Sequence, residues 1–136
     1  MKFASILKVS ASGMDAQTLR MRMVAENIAN AEVAPNRPGE DPYRRKMLSL
    51  RNVLDREHGV RTLRADKVVF DKRPFLTRYE PANPSADGAG YVKIPNVNSL
   101  IESMDMRQAQ RSYEANLGVI EVAKNMISRT IDILRS

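Results

Sequence analysis

A chain of 136 residues has room for one domain, or for one small folded insert between two long helices. It carries 22 Lys and Arg against 16 Asp and Glu, a net charge of +6, with one His and neither Cys nor Trp. Those counts exclude a disulfide framework, a thiolate or two-histidine metal motif, and a cysteine nucleophile.

The first predicted element is a helix over Met1–Ala31. Leu7, Met14, Met21 and Ile28 recur every seven residues, and Phe3, Ser10, Gln17, Val24 and Ala31 form a second row of the same stripe. No proline precedes Pro35, and Gly13 weakens the helix by roughly 1 kcal/mol relative to Ala. Ser10 and Gln17 stand where a strong dimeric coil would carry Val or Leu, so the seam reads as flawed. Met1–Ser10 lacks the apolar core and small-residue cleavage site of a secretory signal peptide, and no stretch approaches the ~20 apolar residues of a membrane span.

Between the helices lies a different kind of sequence. All seven prolines fall between Pro35 and Pro95. Short runs of β-forming residues at Tyr43–Leu50, Gly59–Leu63, Lys67–Phe70 and Phe75–Tyr79 predict a hairpin or a three-to-four-strand insert. Glu80–Gly90 reads as a solvated loop returning the chain to the last segment. Most of the basic excess lies here, with 13 basic and 8 acidic residues over 35–98.

The last predicted helix runs from Ser99 to Leu134. Met106, Tyr113, Ile120, Ile127 and Leu134 are seven apart, and Ala109, Asn116, Ala123 and Thr130 follow the first four by three residues. Leu117 and Ile131 widen the stripe. Asn98 or Ser99 can cap its start, and Glu102 stands at the capping-box spacing from Ser99. A helix of this length points to a coiled coil, a bundle or a filament. The expected fold is therefore mainly α with a small β insert: residues 1–34 and 99–136 as a coiled-coil-like pair of terminal helices, 35–98 as β-rich strands and loops.

The candidate chemistry is thin. Arg44-Arg45-Lys46 is the densest basic run and offers an anion-facing surface, although acids interleave with the bases that follow it. No aromatic interleaving or recognition signature supports nucleic acid. His58 has no nearby nucleophile, and the Gly88–Gly90 loop lacks phosphate-cradling spacing, so neither an enzyme nor a cofactor, metal or small-molecule substrate is expected. Two apolar stripes joined by a small insert cannot bury each other all round, which calls for packing between subunits. A basic nucleic-acid binder, or an adaptor with an intramolecular helical hairpin, remains as the alternative.

A resemblance adds to this. Ser12-Gly13-Met14-Asp15-Ala16-Gln17, Arg20-Met21 and Ala25-Glu26-Asn27-Ile28-Ala29-Asn30-Ala31 resemble the N-terminal signature of bacterial flagellar rod and hook proteins. Tyr43-Arg44-Arg45-Lys46, the Gly90–Asn98 stretch GYVKIPNVN and Tyr113-Glu114-Ala115-Asn116 are similar to the proximal-rod branch of that family. The chain departs from it at Glu32-Val33-Ala34-Pro35, where Thr or Ser often follows the Asn-Ala step. The resemblance implies an axial subunit of the basal-body rod in the periplasm, with terminal helices packed into a tube and no catalysis. Its implied partners are other copies of itself, other rod proteins, neighbours at the inner-membrane ring and distal rod, and the flagellar type III export apparatus, which takes it without a cleaved signal peptide. Phe3 and Leu7 are similar to a short export element. The residues expected to pack in assembly are Leu7, Met14, Met21, Val24, Asn27, Ile28, Asn30, Met106, Tyr113, Asn116, Leu117, Ile120, Ile127, Ile131 and Leu134, with Arg44, Arg45 and Lys46 as a basic intersubunit surface. Asn27 and Asn30 are expected to set helix register through side-chain hydrogen bonds, or Asn30 to cap its helix.

Overall fold

The long apolar periodicities at the two ends of the chain fold as helices, and the proline-bounded middle folds as strands. The computed structural model describes residues 2–136. Helix α1 spans Phe3–Ala29 and helix α2 spans Ser99–Arg135, with strands β1 (Lys46–Asp55), β2 (Val60–Phe70), β3 (Leu76–Tyr79) and β4 (Tyr91–Ile94) between them. The fold is thus mainly helical with a small β part, as the pattern predicts. No helix among the described residues is long and apolar enough to cross a membrane.

The ends of α1 and α2 follow from local hydrogen bonding. The Asn98 side-chain oxygen accepts from the backbone N–H of Leu100 at 3.0 Å and of Ile101 at 3.4 Å, so Asn98 is the cap of α2. Glu102 does not complete a capping box, because its carboxylate is engaged elsewhere. At the end of α1 the Asn30 amide donates back to the Glu26 carbonyl at 2.8 Å, and the chain leaves the helix through the turn at residues 30–32. That local bond is of the kind the capping alternative for Asn30 calls for.

The strands form two separate two-stranded sheets. β1 and β2 are joined by the four residues Arg56–Gly59, a connection that only antiparallel neighbours permit. The two runs expected at Gly59–Leu63 and Lys67–Phe70 are one strand, since the intervening Arg64-Ala65-Asp66 is exposed and polarity there costs nothing. β3 pairs antiparallel with β4, with Leu76 opposite Ile94 and Tyr79 opposite Tyr91. The two tyrosine rings meet edge to face at 5.2 Å. Gly90, at φ +86°, precedes β4; a Cβ there would lie 2.9 Å from the Tyr79 ring. β4 was not expected as a strand.

The chain forms two compact units, each drawing on several parts of the sequence. Unit 1 comprises residues 1–21, 48–67 and 107–136, and unit 2 comprises 22–47 and 68–106. In unit 1 the buried positions of α1 are Ser5, Ser10, Gly13, Ala16 and Gln17, and those of α2 are Ala109 and Ala123. The row with the small and polar residues is therefore the inner one, while Leu7, Met14 and Met21 are half-buried. Small residues let helix axes approach closely. The approach is close at Gly13, where a Cβ would lie 2.8 Å from the Asn116 amide nitrogen, itself bonded to the Ser112 carbonyl at 2.9 Å.

Two outcomes are expected. Gly13→Ala should destabilise the chain despite a helix-propensity gain of roughly 1 kcal/mol, because it displaces the Asn116 amide. In the Asn116→Ala background the same change should become stabilising by about that amount, and urea denaturation of the four variants reads the sign reversal.

Candidate functional site: a buried ionic junction and an open apolar helix face

The one strongly charged cluster buried in unit 2 is built around Glu102, in the first turn of α2. Glu102 is fully buried, 0% exposed. Its Oε1 receives the Arg45 guanidinium, and its Oε2 accepts from the Asn27 amide at 3.0 Å. Arg45 also faces Asp71 at 3.5 Å and Asp105 at 3.5 Å, so one guanidinium is shared among three carboxylates. Its rigid fork of donors suits that role better than a lysine would. The backbone N–H of Arg45 donates to Asn96, whose own amide donates to the carbonyls of Asp71 and Arg73.

Asn27 uses every polar atom of its side chain. Its amide nitrogen donates to the Lys46 carbonyl and to Glu102, and its oxygen accepts from the Lys46 N–H at 3.0 Å and the Tyr43 hydroxyl at 2.8 Å. The Asn27 of the Asn-Ile-Ala-Asn motif thus ties the end of α1 to the start of β1 and the first turn of α2 within unit 2. Burial, with the nearby Glu26 and Glu102 carboxylates, raises the Tyr43 hydroxyl above its ordinary pKa and keeps it a donor. The Arg73 side chain, bonded to Asp71 at 2.8 and 2.5 Å, is the main cause holding the Asp71 carboxyl down to about 2.

The Arg44-Arg45-Lys46 run therefore differs from a free basic surface. Arg45 is internal as described. Arg44 donates to the Asp71 and Arg73 carbonyls and lies over the Phe75 ring at 4.1 Å, and Lys46 pairs with Glu26 at 3.2 Å. The physical reason is that the acids and carbonyls these cations meet lie 20 or more residues off in sequence and are brought to them by the fold.

The remaining expected packing residues sort by depth. Val24 is buried in unit 2, where Met106 is half-buried and Ile28 lies at the exposed edge. In unit 1 Tyr113, Asn116, Ile120 and Ile127 are half-buried, whereas Leu117, Ile131 and Leu134 are exposed, Leu134 to 81%. Phe3 and Ile6 of α1, with Ala115, Gly118, Val119, Val122, Ala123 and Met126 of α2, line an open and almost wholly apolar groove of about 430 Å³. Val119, Val122, Met126 and Ile133, outside the expected set, are exposed on α2 as well. They widen the apolar face beyond one heptad row, and the Val-Ile-Glu-Val and Ile-Asp-Ile-Leu runs were the signal for it.

The turn after β1 brings Asp55, Glu57 and His58 together, with ligand-type atoms within 4.8 Å. Asp55 is already occupied: its oxygens accept from the backbone N–H of Glu57 and His58, and it meets the His58 ring at 3.2 Å and Lys8 at 3.8 Å. Burial raises the Asp55 carboxyl, but these hydrogen bonds outweigh it and lower it overall.

Residues 89–133 match the model of the flagellar basal body rod FlgEFG protein C-terminal family. Over nearly the whole chain the sequence is similar to proteins named flagellar basal-body rod protein FlgC. That of Agrobacterium fabrum is 46% identical over 129 residues, covering 95% of this chain and 93% of the relative. That of Salmonella typhimurium is 34% identical over 135 residues, 98% of each, and that of Bacillus subtilis is 35% identical, covering 93% and 95%.

Arg45→Ala should cost about 3–5 kcal/mol in urea denaturation, because it strands Glu102 in the interior, and adding Glu102→Ala should recover part of that loss. The stability that Asp71 contributes is complete above its ordinary value near 3.8 and should be lost as pH falls from there toward 2. Asp71→Asn should flatten that segment of the stability–pH curve.

Proposed function

The chain belongs to the FlgC family of flagellar basal-body rod structural proteins, and from that premise we propose that it transmits torque through the proximal rod by helical packing of its terminal helices against neighbouring subunits. The apolar face of α2 carries this reading. An intramolecular helix pair would suffice for an adaptor, and Gly13 against Asn116 is such a contact. It leaves Val122, Met126 and Ile133, which helix spacing sets on one face of α2, each at least half exposed, and an exposed apolar face of that kind marks an interaction surface. The partners are other copies of the chain and other rod proteins, with neighbours at the inner-membrane ring and the distal rod.

On this reading the half-buried rows, Leu7, Met14 and Met21 on α1 with Tyr113, Ile120 and Ile127 on α2, are completed by side chains of adjacent subunits. Ile28, Leu117, Ile131 and Leu134 form the outer contacts. Asn27 acts before assembly, by fixing the junction from which both helices extend. The chain works in the periplasm, delivered by the flagellar type III export apparatus without a cleaved signal peptide, and Phe3 and Leu7 belong to the element that the apparatus reads.

Val122→Glu combined with Leu134→Glu tests the packing role in a motility strain. Export into the periplasm and the folding of unit 2 should be retained while rod assembly and swimming are lost. Normal rods would overturn the reading. Hydrogen exchange on the dilute chain should find the C-terminal half of α2 exchanging fast and the Asn27–Glu102 region protected.

A further inference from the structure

Charge counted along the sequence collects in residues 35–98, but charge counted by compact unit is distributed differently. Unit 1 holds 13 Lys and Arg against 7 Asp and Glu, and unit 2 holds nine of each. The whole net charge of +6 therefore sits in unit 1. Within it, the β1–β2 hairpin carries cations that have no ion-pair partner among the described residues. Asp55 is occupied by Lys8 and His58, and Asp66 by Arg51 at 3.4 Å. Arg56, Arg61, Arg64 and Lys67 are exposed and have no ion-pair partner among the described residues. Leu54, 56% exposed on β1, adds an apolar contact.

We propose that this hairpin docks a carboxylate-rich surface of a protein partner. Three of the four free cations are arginines, whose fork matches a carboxylate in bidentate fashion. The hairpin tip, Arg56-Glu57-His58-Gly59, has no apolar side chain to insert and includes an acid, which argues against a lipid surface. Residues 48–67 contain no Phe, Tyr or Trp, so no base-stacking platform is present for nucleic acid. Asp55 and Asp66, already paired, and Glu57 stand among the free cations in a patterned surface that suits a partner with fixed carboxylate positions. This contact adds to the helix packing proposed above by naming the chemistry of a second surface.

Labelled poly-L-glutamate is the probe, titrated against the full chain at fixed salt. Replacing Arg56, Arg61, Arg64 and Lys67 together by Gln should weaken binding by about tenfold or more, while replacing Arg107, Arg111, Lys124 and Arg129 by Gln, an equal loss of charge in the same unit, should weaken it by less than about threefold. Equal losses in the two variants would overturn the assignment, as would tighter binding to phosphatidylserine vesicles or duplex DNA than to poly-L-glutamate at the same salt. The unmodified chain supplies a second readout should the hairpin variant fail to fold. Poly-L-glutamate should protect Arg56, Arg61 and Arg64 from p-hydroxyphenylglyoxal, read by mass spectrometry, and leave Arg107 and Arg111 reactive; uniform protection would reject the hairpin. Neither measurement requires rod assembly, so a failure of the helix-packing reading leaves this result readable.

Discussion

A carboxylate with no exposed surface is tolerable only if a cation and enough hydrogen bonds replace the water it has lost, and Glu102 is such a group. Arg45 supplies the cation and the Asn27 amide supplies a hydrogen bond. Most of unit 2 follows from holding those three residues together. Asn27 fixes the last turns of α1, Arg45 leads into β1, Glu102 opens α2, and Asn96 ties the chain after β4 back to Arg45. Buried ion pairs add little net stability over apolar packing, but a wrong arrangement of this one would leave charges buried without partners.

Much of the fold is readable from one sequence because helix periodicity survives in both terminal segments. Among the described residues their observed bounds differ from the expected ones by one residue at the start and two at the end of α1, and by one at the end of α2, with Met1 outside the described residues. The weighting of the rows was not readable. Ser10 and Gln17 look like defects in an apolar seam, yet they lie on the buried row, where small side chains at Ser10 and Gly13 matter more than bulk. Periodicity identifies a stripe; it does not say which edge of it faces inward when both edges are of middling polarity. β4 was missed for a related reason, since four residues alternating Tyr91, Val92, Lys93 and Ile94 between a glycine and a proline carry too short a pattern to separate from a loop.

The basic run illustrates a deeper limit. Arg44-Arg45-Lys46 looks like a surface because three cations stand together, but Arg45 and Glu102 are 57 residues apart and meet only in the folded chain. Local composition cannot report such a pairing. The same blindness runs in the opposite direction in the hairpin, where acids adjacent in sequence suggest neutrality. There the fold commits Asp55 and Asp66 to particular partners and leaves Arg56, Arg61, Arg64 and Lys67 uncompensated.

These two redistributions have a common consequence for a subunit that must fold and also bind neighbours. Unit 2 holds as many acids as bases and buries its densest charges against one another, while Phe70, Tyr79, Leu100 and Met104 leave apolar surface exposed there as well. Unit 1 retains both an exposed apolar helix face and the entire charge excess. Apolar contact is non-directional and favours association in general, whereas unpaired charge penalises the wrong neighbour through repulsion and desolvation. A surface with both terms can associate strongly while still discriminating among partners, which a subunit at a fixed place in an ordered assembly requires. Neutrality in one unit and a charge excess in the other thus arise from the same 22 bases and 16 acids, divided by the fold and not by the order of residues along the chain.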